Sequence, residues 1–378
     1  MVKLKLLAAV VTTIVRANVL FSGSGGCDTD DPTCIDPTTG TSTISTLLFN
    51  VTTGILEVAS VYAGFNQPAW LQAIPDTYIL LATETTGNTI HSLKFNPIDN
   101  SLEEISFSVS GDAPVHLATI EGYVVAANYM GGSLSVLPID PNGSLGDAVE
   151  YKHVGSGPDP DRQEAPHVHS VYNYKNRIYA VDLGLDSIFW YDFDGGKLVN
   201  STENYVKTVP GSGPRHLAFS TLNNNDNETV AHVICEMASH IETFKINPET
   251  GGFLHPPIGI VSTLPKNSEP GFSKAGEILV WGNFVYATNR GPADGSDSIG
   301  VYEIDMQTGE LQNRQFVSSG GSFPRGAAIT HNGGELIVGG QDSDNIAVFS
   351  INNADGTLFP APLYNLKNIT SPVTFTQF

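Results

Sequence analysis

Four short segments set histidine or arginine beside a proline where an apolar run begins: Pro114-Val-His116-Leu, Pro166-His167-Val-His169-Ser, Pro214-Arg215-His216-Leu and Pro324-Arg325-Gly. A second set of polar residues, Glu84, Asn128, Asp182, Glu236, Arg290 and Gln341, closes apolar runs. Arginine grips a carboxylate or a developing oxyanion with two parallel hydrogen bonds, and glutamate or histidine can move a proton, so these types suit acyl-oxygen or carboxylate chemistry. Glu236 ends the run Val230 to Cys235 and is costly to bury alone, so Arg215 or Arg290 is expected to neutralise it. Strand side chains alternate faces, which predicts that His167 and His169 point one way and that Arg215 points opposite to His216. The chain has no Gly-x-Ser-x-Gly nucleophile elbow, no His-Glu-x-x-His helix and no glycine-rich phosphate loop. Two histidines one residue apart could hold a metal, but no carboxylate partners are evident in sequence, and neither metal nor cofactor is expected.

The elements that must position these residues are legible as a repeat. A Gly, Asn, Ser or Asp followed by an apolar strand recurs seven times, opening at Ser42, Asn88, Gly132, Asp186, Ser239, Asp297 and Asp344. The apolar residue at the third place of each copy (Ile44, Ile90, Leu134, Ile188, Ile241, Ile299, Ile346) recurs at intervals of 46, 44, 54, 53, 58 and 47 residues, the size of a four-stranded blade. With 38 Gly, 23 Pro and no long stretch of helical period to serve as a crossover, the chain reads as all-β: a seven-bladed β-propeller. Only one candidate strand, Asn18 to Ser22, precedes the first copy, and Pro372 to Phe378 is expected to supply the missing innermost strand and close the ring. Innermost strands line the channel of a propeller, which brings the polar segments to one mouth; His116, His216, Arg325, Glu84, Asp182 and Gln341 are expected to contact substrate there.

Residues 1–17 read as a signal peptide, with Lys3 and Lys5 ahead of a short apolar run and small residues before Asn18, leaving 18–378 as one domain. Five Asn-x-Ser/Thr sequons, at Asn50, Asn142, Asn200, Asn227 and Asn368, fit a secreted, N-glycosylated protein. Cys27 and Cys34 suggest a small disulfide, whereas Cys235 lies in an apolar run as an inert thiol. A formal charge of -21 argues against nucleic acid as a partner, and no apolar stretch reaches membrane-spanning length. Oligomeric state is not legible.

The segments Pro166-His-Val-His-Ser170, Ala180-Val-Asp-Leu-Gly-Leu-Asp-Ser-Ile188, Gly213-Pro-Arg-His-Leu217 with Glu236, Tyr286-Ala-Thr-Asn-Arg-Gly291, Asp297-Ser-Ile-Gly-Val301 and Phe323-Pro-Arg-Gly326 resemble the seven-bladed lactonase family. That family includes propeller-type 6-phosphogluconolactonases, the fungal 3-carboxy-cis,cis-muconate cyclase and secreted fungal aldonolactonases. The resemblance spans nearly the whole chain after the leader. It implies metal-independent catalysis by one histidine of the His167/His169 pair together with Arg215, Glu236 and Arg290, acting on a small-molecule lactone or carboxylate. Secretion favours hydrolysis of an aldono-lactone such as glucono-δ-lactone or cellobionolactone. The alternatives are a muconate-type cycloisomerase and a non-catalytic surface glycoprotein or adhesin that keeps the propeller as a binding platform.

Overall fold

The computed structural model describes residues 18–24, 42–199, 204–266, 268, 273–291 and 297–378. The expected signal peptide (residues 1–17), the Cys27 and Cys34 pair and the sequon at Asn200 lie outside these residues. The described strands form seven antiparallel sheets. From blade 1 to blade 7 the innermost strands are Pro372–Gln377, Leu71–Ala73, Pro114–Ile120, Val168–Tyr174, Pro214–Thr221, Lys274–Trp281 and Pro324–Ile329, each touching the next round a closed ring. The seven repeat copies are the third strands, from Ser42–Asn50 in blade 1 to Asn345–Ser350 in blade 7.

The residue type that opens a copy has a backbone cause. Asn88, Asp186, Ser239 and Asp344 take φ between 47° and 57°, and Gly132 takes 55°, in the tight turns between second and third strands. Glycine, and short polar side chains that can bond locally, tolerate this left-handed region best.

Each of the seven gaps between neighbouring blades holds one apolar cluster, so the core is divided into seven slices. A middle strand is therefore covered on both faces, and Thr229–Cys235 is buried at every position. This explains why second strands read as continuous apolar runs rather than as alternation. His232, inside that strand, is held between Thr243 Oγ1 (3.0 Å) and Ser220 Oγ (3.1 Å), and burial pushes its pKa down to about 3, so it packs as a neutral ring.

The ring closes without a covalent link. Pro372–Gln377 pairs antiparallel with Asn18–Ser24, in register from Leu20 opposite Gln377 to Gly23 opposite Thr374, and supplies the innermost strand of blade 1 as expected. Among the described residues no helix is long and apolar enough to cross a membrane. The sequons at Asn142 and Asn227 are exposed in turns and Asn368 is exposed between strands Tyr364–Lys367 and Pro372–Gln377, while Asn50 is half-buried and its Oδ1 accepts the N–H groups of Thr52 and Thr53.

Candidate active site

The channel chemistry depends on one backbone device repeated at the start of the innermost strands. In blade 5, Pro214 pairs with Cys235 and His216 with Ile234, which leaves Arg215 as an extra residue between them. The same register shift leaves Val115 over in blade 3, His169 in blade 4 and Val373 in blade 1. In blades 6 and 7 the pairs Gly276-Glu277 and Arg325-Gly326 each stand opposite a single residue. A β-bulge re-aims a side chain that the pleat would have placed elsewhere. In each of these six blades a bulged residue lines one central cavity.

Blades 4 to 7 contribute His169, Arg215, Glu277 and Arg325 to this cavity. Blades 1 to 3 contribute Val373, Ala69 and Val115. Trp70 and His216 complete the wall. The bulge also overturns the expected alternation, because Arg215 and His216 share the cavity and Arg215 Nη1 lies 3.3 Å from the His216 ring.

Behind Arg215 stands a buried ion cluster. Glu236 Oε1 accepts Arg162 Nη2 at 2.8 Å, while Oε2 meets Arg290 Nη2 at 2.6 Å and Arg215 Nε at 3.2 Å. The expected neutralisation of Glu236 is thus supplied by both arginines named from sequence and by a third, Arg162, from the loop before Val168. Burial alone would raise the Glu236 pKa, but the charges of Arg290, Arg162 and Arg215 outweigh it and hold the carboxylate well below its usual range. Arg215 also donates to the Gly276 carbonyl at 2.8 Å; burial and the neighbouring Arg290 lower its pKa to about 10, which leaves it charged at neutral pH.

The second carboxylate has the opposite surroundings. Glu277 Oε1 lies 2.7 Å from His216 Nδ1 and accepts the N–H of Ile278 at 3.1 Å, and burial pushes its pKa up to about 7 against the pull of Arg215. His116, His169 and His216 are fully buried, and desolvation first, with nearby positive charge, puts all three well below the usual imidazole range. His116 stacks on Trp70 at 3.8 Å between ring centroids and lies 5.2 Å from His216. His169 Nδ1, His116 Nε2 and Trp70 Nε1 are buried polar atoms with no hydrogen-bond partner among the described residues. Such atoms are costly unless a bound molecule meets them.

Of the two histidines left open by the sequence, His169 lines the cavity. His167 stacks on Tyr129 (4.6 Å) and its Nε2 lies 3.1 Å from Glu164 Oε1. Four residues expected to contact substrate, His116, Asp182, Glu84 and Gln341, do not line the cavity, although His116 stacks on Trp70 of its wall. Asp182 is consumed by structure: Oδ1 accepts the N–H groups of His167 (2.9 Å) and Leu185 (3.1 Å), and Oδ2 lies 2.6 Å from His153 Nδ1. Glu84 binds the N–H of Asn66 (2.9 Å), Thr89 and His91 within blade 2. Gln341 is buried just past the second strand of blade 7, where its N–H donates to the Phe323 carbonyl at 3.1 Å.

Glu277, Arg162 and Trp70 went unread in the sequence. A signal existed for Glu277, a carboxylate interrupting the apolar start of Lys274-Ala-Gly-Glu277-Ile-Leu-Val at the point where its neighbours carry Arg215 and Arg325.

One group of metal-ligand types comes together among the described residues: Cys235, His240 and Glu242, with ligand atoms within 4.8 Å of one another. None of the three lines the channel cavity. His240 Nε2 and Glu242 Oε1 are already 2.9 Å apart, and burial raises the Cys235 thiol pKa far above its ordinary value, which fits the inert thiol expected there.

Residues 33–370 match the family described as "Lactonase, 7-bladed beta-propeller". A 6-phosphogluconolactonase of Bacillus subtilis is 32% identical over 70% of this chain and 75% of its own. An Arthroderma benhamiae protein named "Probable 6-phosphogluconolactonase" is 28% identical over 98% of this chain and 92% of its own. The fold is shared with the periplasmic gluconolactonase of Pseudomonas aeruginosa, at a TM-score of 0.81 and 24% identity over 95% of this chain and 98% of that one. With the ring of blades, the bulged channel wall and these matches in agreement, the chain belongs to the seven-bladed β-propeller lactonase family.

Proposed function

We propose that the protein is a secreted lactonase that hydrolyses an aldono-lactone, glucono-δ-lactone or cellobionolactone being the expected type, within the central cavity. The observation that carries this reading is the gathering of Arg215 and Arg325 in the cavity wall, with Arg162 and Arg290 clamped behind them on Glu236. Hydrolysis of a lactone passes through a tetrahedral intermediate whose former carbonyl oxygen carries negative charge. Guanidinium groups fixed in place before reaction stabilise that charge without reorganising, and one such donor is worth roughly 10²–10³-fold in turnover. Four arginines face two glutamates here, a local surplus of positive charge in a chain whose formal charge is -21. The choice of an unphosphorylated sugar rests on the leader and sequons, because lactones from oxidised polysaccharide arise outside cells.

A second reading is a phosphorylated sugar lactone. The names of the two relatives and the arginine surplus favour it, since phosphate is a natural partner for paired guanidinium groups. Continuous pH-stat assays on glucono-δ-lactone, cellobionolactone, 6-phosphogluconolactone and carboxymuconolactone rank these readings. Arg215→Ala should slow the preferred substrate at least tenfold with the circular dichroism of the fold unchanged. A purified protein that accelerates none of the four above the spontaneous rate would remove the lactonase reading and leave the binding platform.

A further inference from the structure

We propose that Glu277 is the catalytic residue that takes the proton from the attacking water and returns it to the ring oxygen of the lactone. This rests on the hydrolytic reading above and goes beyond it by assigning the proton-transfer step. Among the residues that line the cavity, Glu277 is the one carboxylate. It reaches the cavity because Gly276 and Glu277 together stand opposite a single residue of the next strand.

The two carboxylates of the site differ in which oxygen atoms remain available. Both oxygens of Glu236 are taken by arginines, and a carboxylate bound in this way is a poor proton acceptor. Glu277 spends only Oε1 on its two partners, His216 Nδ1 and the N–H of Ile278, and among the described residues Oε2 forms no hydrogen bond. The charged and titratable groups that face Glu277 come from five blades: His116, Tyr172, Arg215 with His216, Arg290 and Arg325, with His169 across the cavity. They include no second carboxylate that could take its place in the wall. Burial in this setting raises its proton affinity to about pH 7, which suits a group that must both accept and give up a proton near neutrality.

Water oxygen bonds to the lactone carbonyl carbon while its proton passes to Glu277 Oε2, and the carbonyl oxygen becomes the oxyanion held by arginine. Collapse of the intermediate breaks the bond between that carbon and the ring oxygen, and Glu277 returns its proton to the departing oxygen as a hydroxyl. One water is consumed, and the open-chain acid loses its carboxyl proton to solvent. His216 is a positioning residue: with Nδ1 protonated it donates to Oε1 and turns Oε2 towards the cavity.

The test compares wild type, Glu277→Gln, Glu277→Asp and His216→Asn by pH-stat on the preferred lactone between pH 5 and 8. Wild-type kcat/KM should fall on the acid side with an apparent pKa near 7. Glu277→Gln should lose at least 100-fold in kcat and lose the acid limb, Glu277→Asp should keep the limb with roughly tenfold lower kcat, and His216→Asn should move the limb rather than remove it. Thermal unfolding of each variant checks the fold. A folded Glu277→Gln enzyme with near wild-type turnover overturns the proposal, and so does a wild-type profile that is flat from pH 5 to 8, which needs no variant. Absence of lactone hydrolysis by wild type would instead overturn the functional reading itself, so the two failures are told apart by one measurement.

Discussion

Two buried carboxylates lie on either side of Arg215, and their surroundings divide the site into a framework region and a reactive region. Glu236 follows the second strand of blade 5, touches three guanidinium groups and has its proton affinity driven down. Glu277 sits on a bulge of the innermost strand of blade 6, touches a neutral imidazole and a backbone N–H, and has its proton affinity driven up. Residue type is the same in both places; what differs is whether the neighbours neutralise the charge. A pair of like groups pushed apart in this way is the pattern by which one site separates a fixed electrostatic role from a proton-moving one.

The contrast is broken most severely at Glu236. Replacing it with glutamine leaves three buried or half-buried arginines without their shared counter-charge, and removing one member of a buried ion pair costs roughly 3–5 kcal/mol. Chemical denaturation of Glu236→Gln at pH 7 should show a loss of that order, while Glu277→Gln at the same pH should be no less stable than wild type. Equal destabilisation by both substitutions would abolish the distinction between framework and reactive carboxylate.

A second effect sharpens the comparison through pH. Because the folded-state pKa of Glu277 lies above its ordinary value of 4.5, at about 7, the folded state binds the extra proton more tightly than the unfolded chain. Its contribution to stability is complete below about pH 4.5 and is lost as pH rises through 7. At about 1.4 kcal/mol for each pH unit separating the two values, the loss is about 3 kcal/mol. The three buried imidazoles, with lowered pKa values, act in the other direction, so the measurable quantity is the difference between Glu277→Gln and wild type. That difference should favour the variant by about 3 kcal/mol more at pH 7.5 than at pH 4.5. Glu236, whose pKa is depressed, gives stability that is present above its unfolded value and lost on acidification, so Glu236→Gln should show no such gain across this window. Denaturation midpoints of the three proteins at both pH values decide the matter.

The fold was legible because it is written redundantly. Five of the seven third strands begin after a residue in the left-handed region, Asn88, Gly132, Asp186, Ser239 and Asp344, and second strands such as Thr229–Cys235 are apolar runs buried on both faces. The terminal strand Pro372–Gln377 could be placed because blade 1 lacked an innermost strand otherwise. The residue directly after Pro114, Pro214, Pro324 and Pro372 lines the cavity in every case, and of these Arg215 and Arg325 were legible by residue type whereas Val115 and Val373 were not. Alternation failed at Arg215 and His216 because period two holds only along a regular ladder, and the bulge inserts one residue. Glu277 is less legible because Gly276 precedes it where proline precedes the cavity residue in blades 1, 3, 5 and 7, and Arg162 because its loop carries no period. Asp182 was misassigned for a related reason: a polar residue ending a buried strand serves equally well to bind backbone N–H groups.

The smallest effect expected is at the least buried of the arginines in the cavity wall, and it bears on substrate. Arg325 lines the cavity, is half-buried, and forms no ion pair among the described residues, unlike Arg162, Arg215 and Arg290. Its charge is therefore directed to whatever enters rather than to the framework. For a neutral aldono-lactone, Arg325 can act only on the developing oxyanion, and Arg325→Ala should lower kcat about tenfold, equivalent to about 1.4 kcal/mol, with KM little changed. For a phosphorylated lactone the same side chain binds a charge present in both ground and transition states, and the loss should appear in KM instead. Steady-state kinetics of this one variant on glucono-δ-lactone and 6-phosphogluconolactone separate the two, because a framework residue would change neither parameter selectively between the substrates.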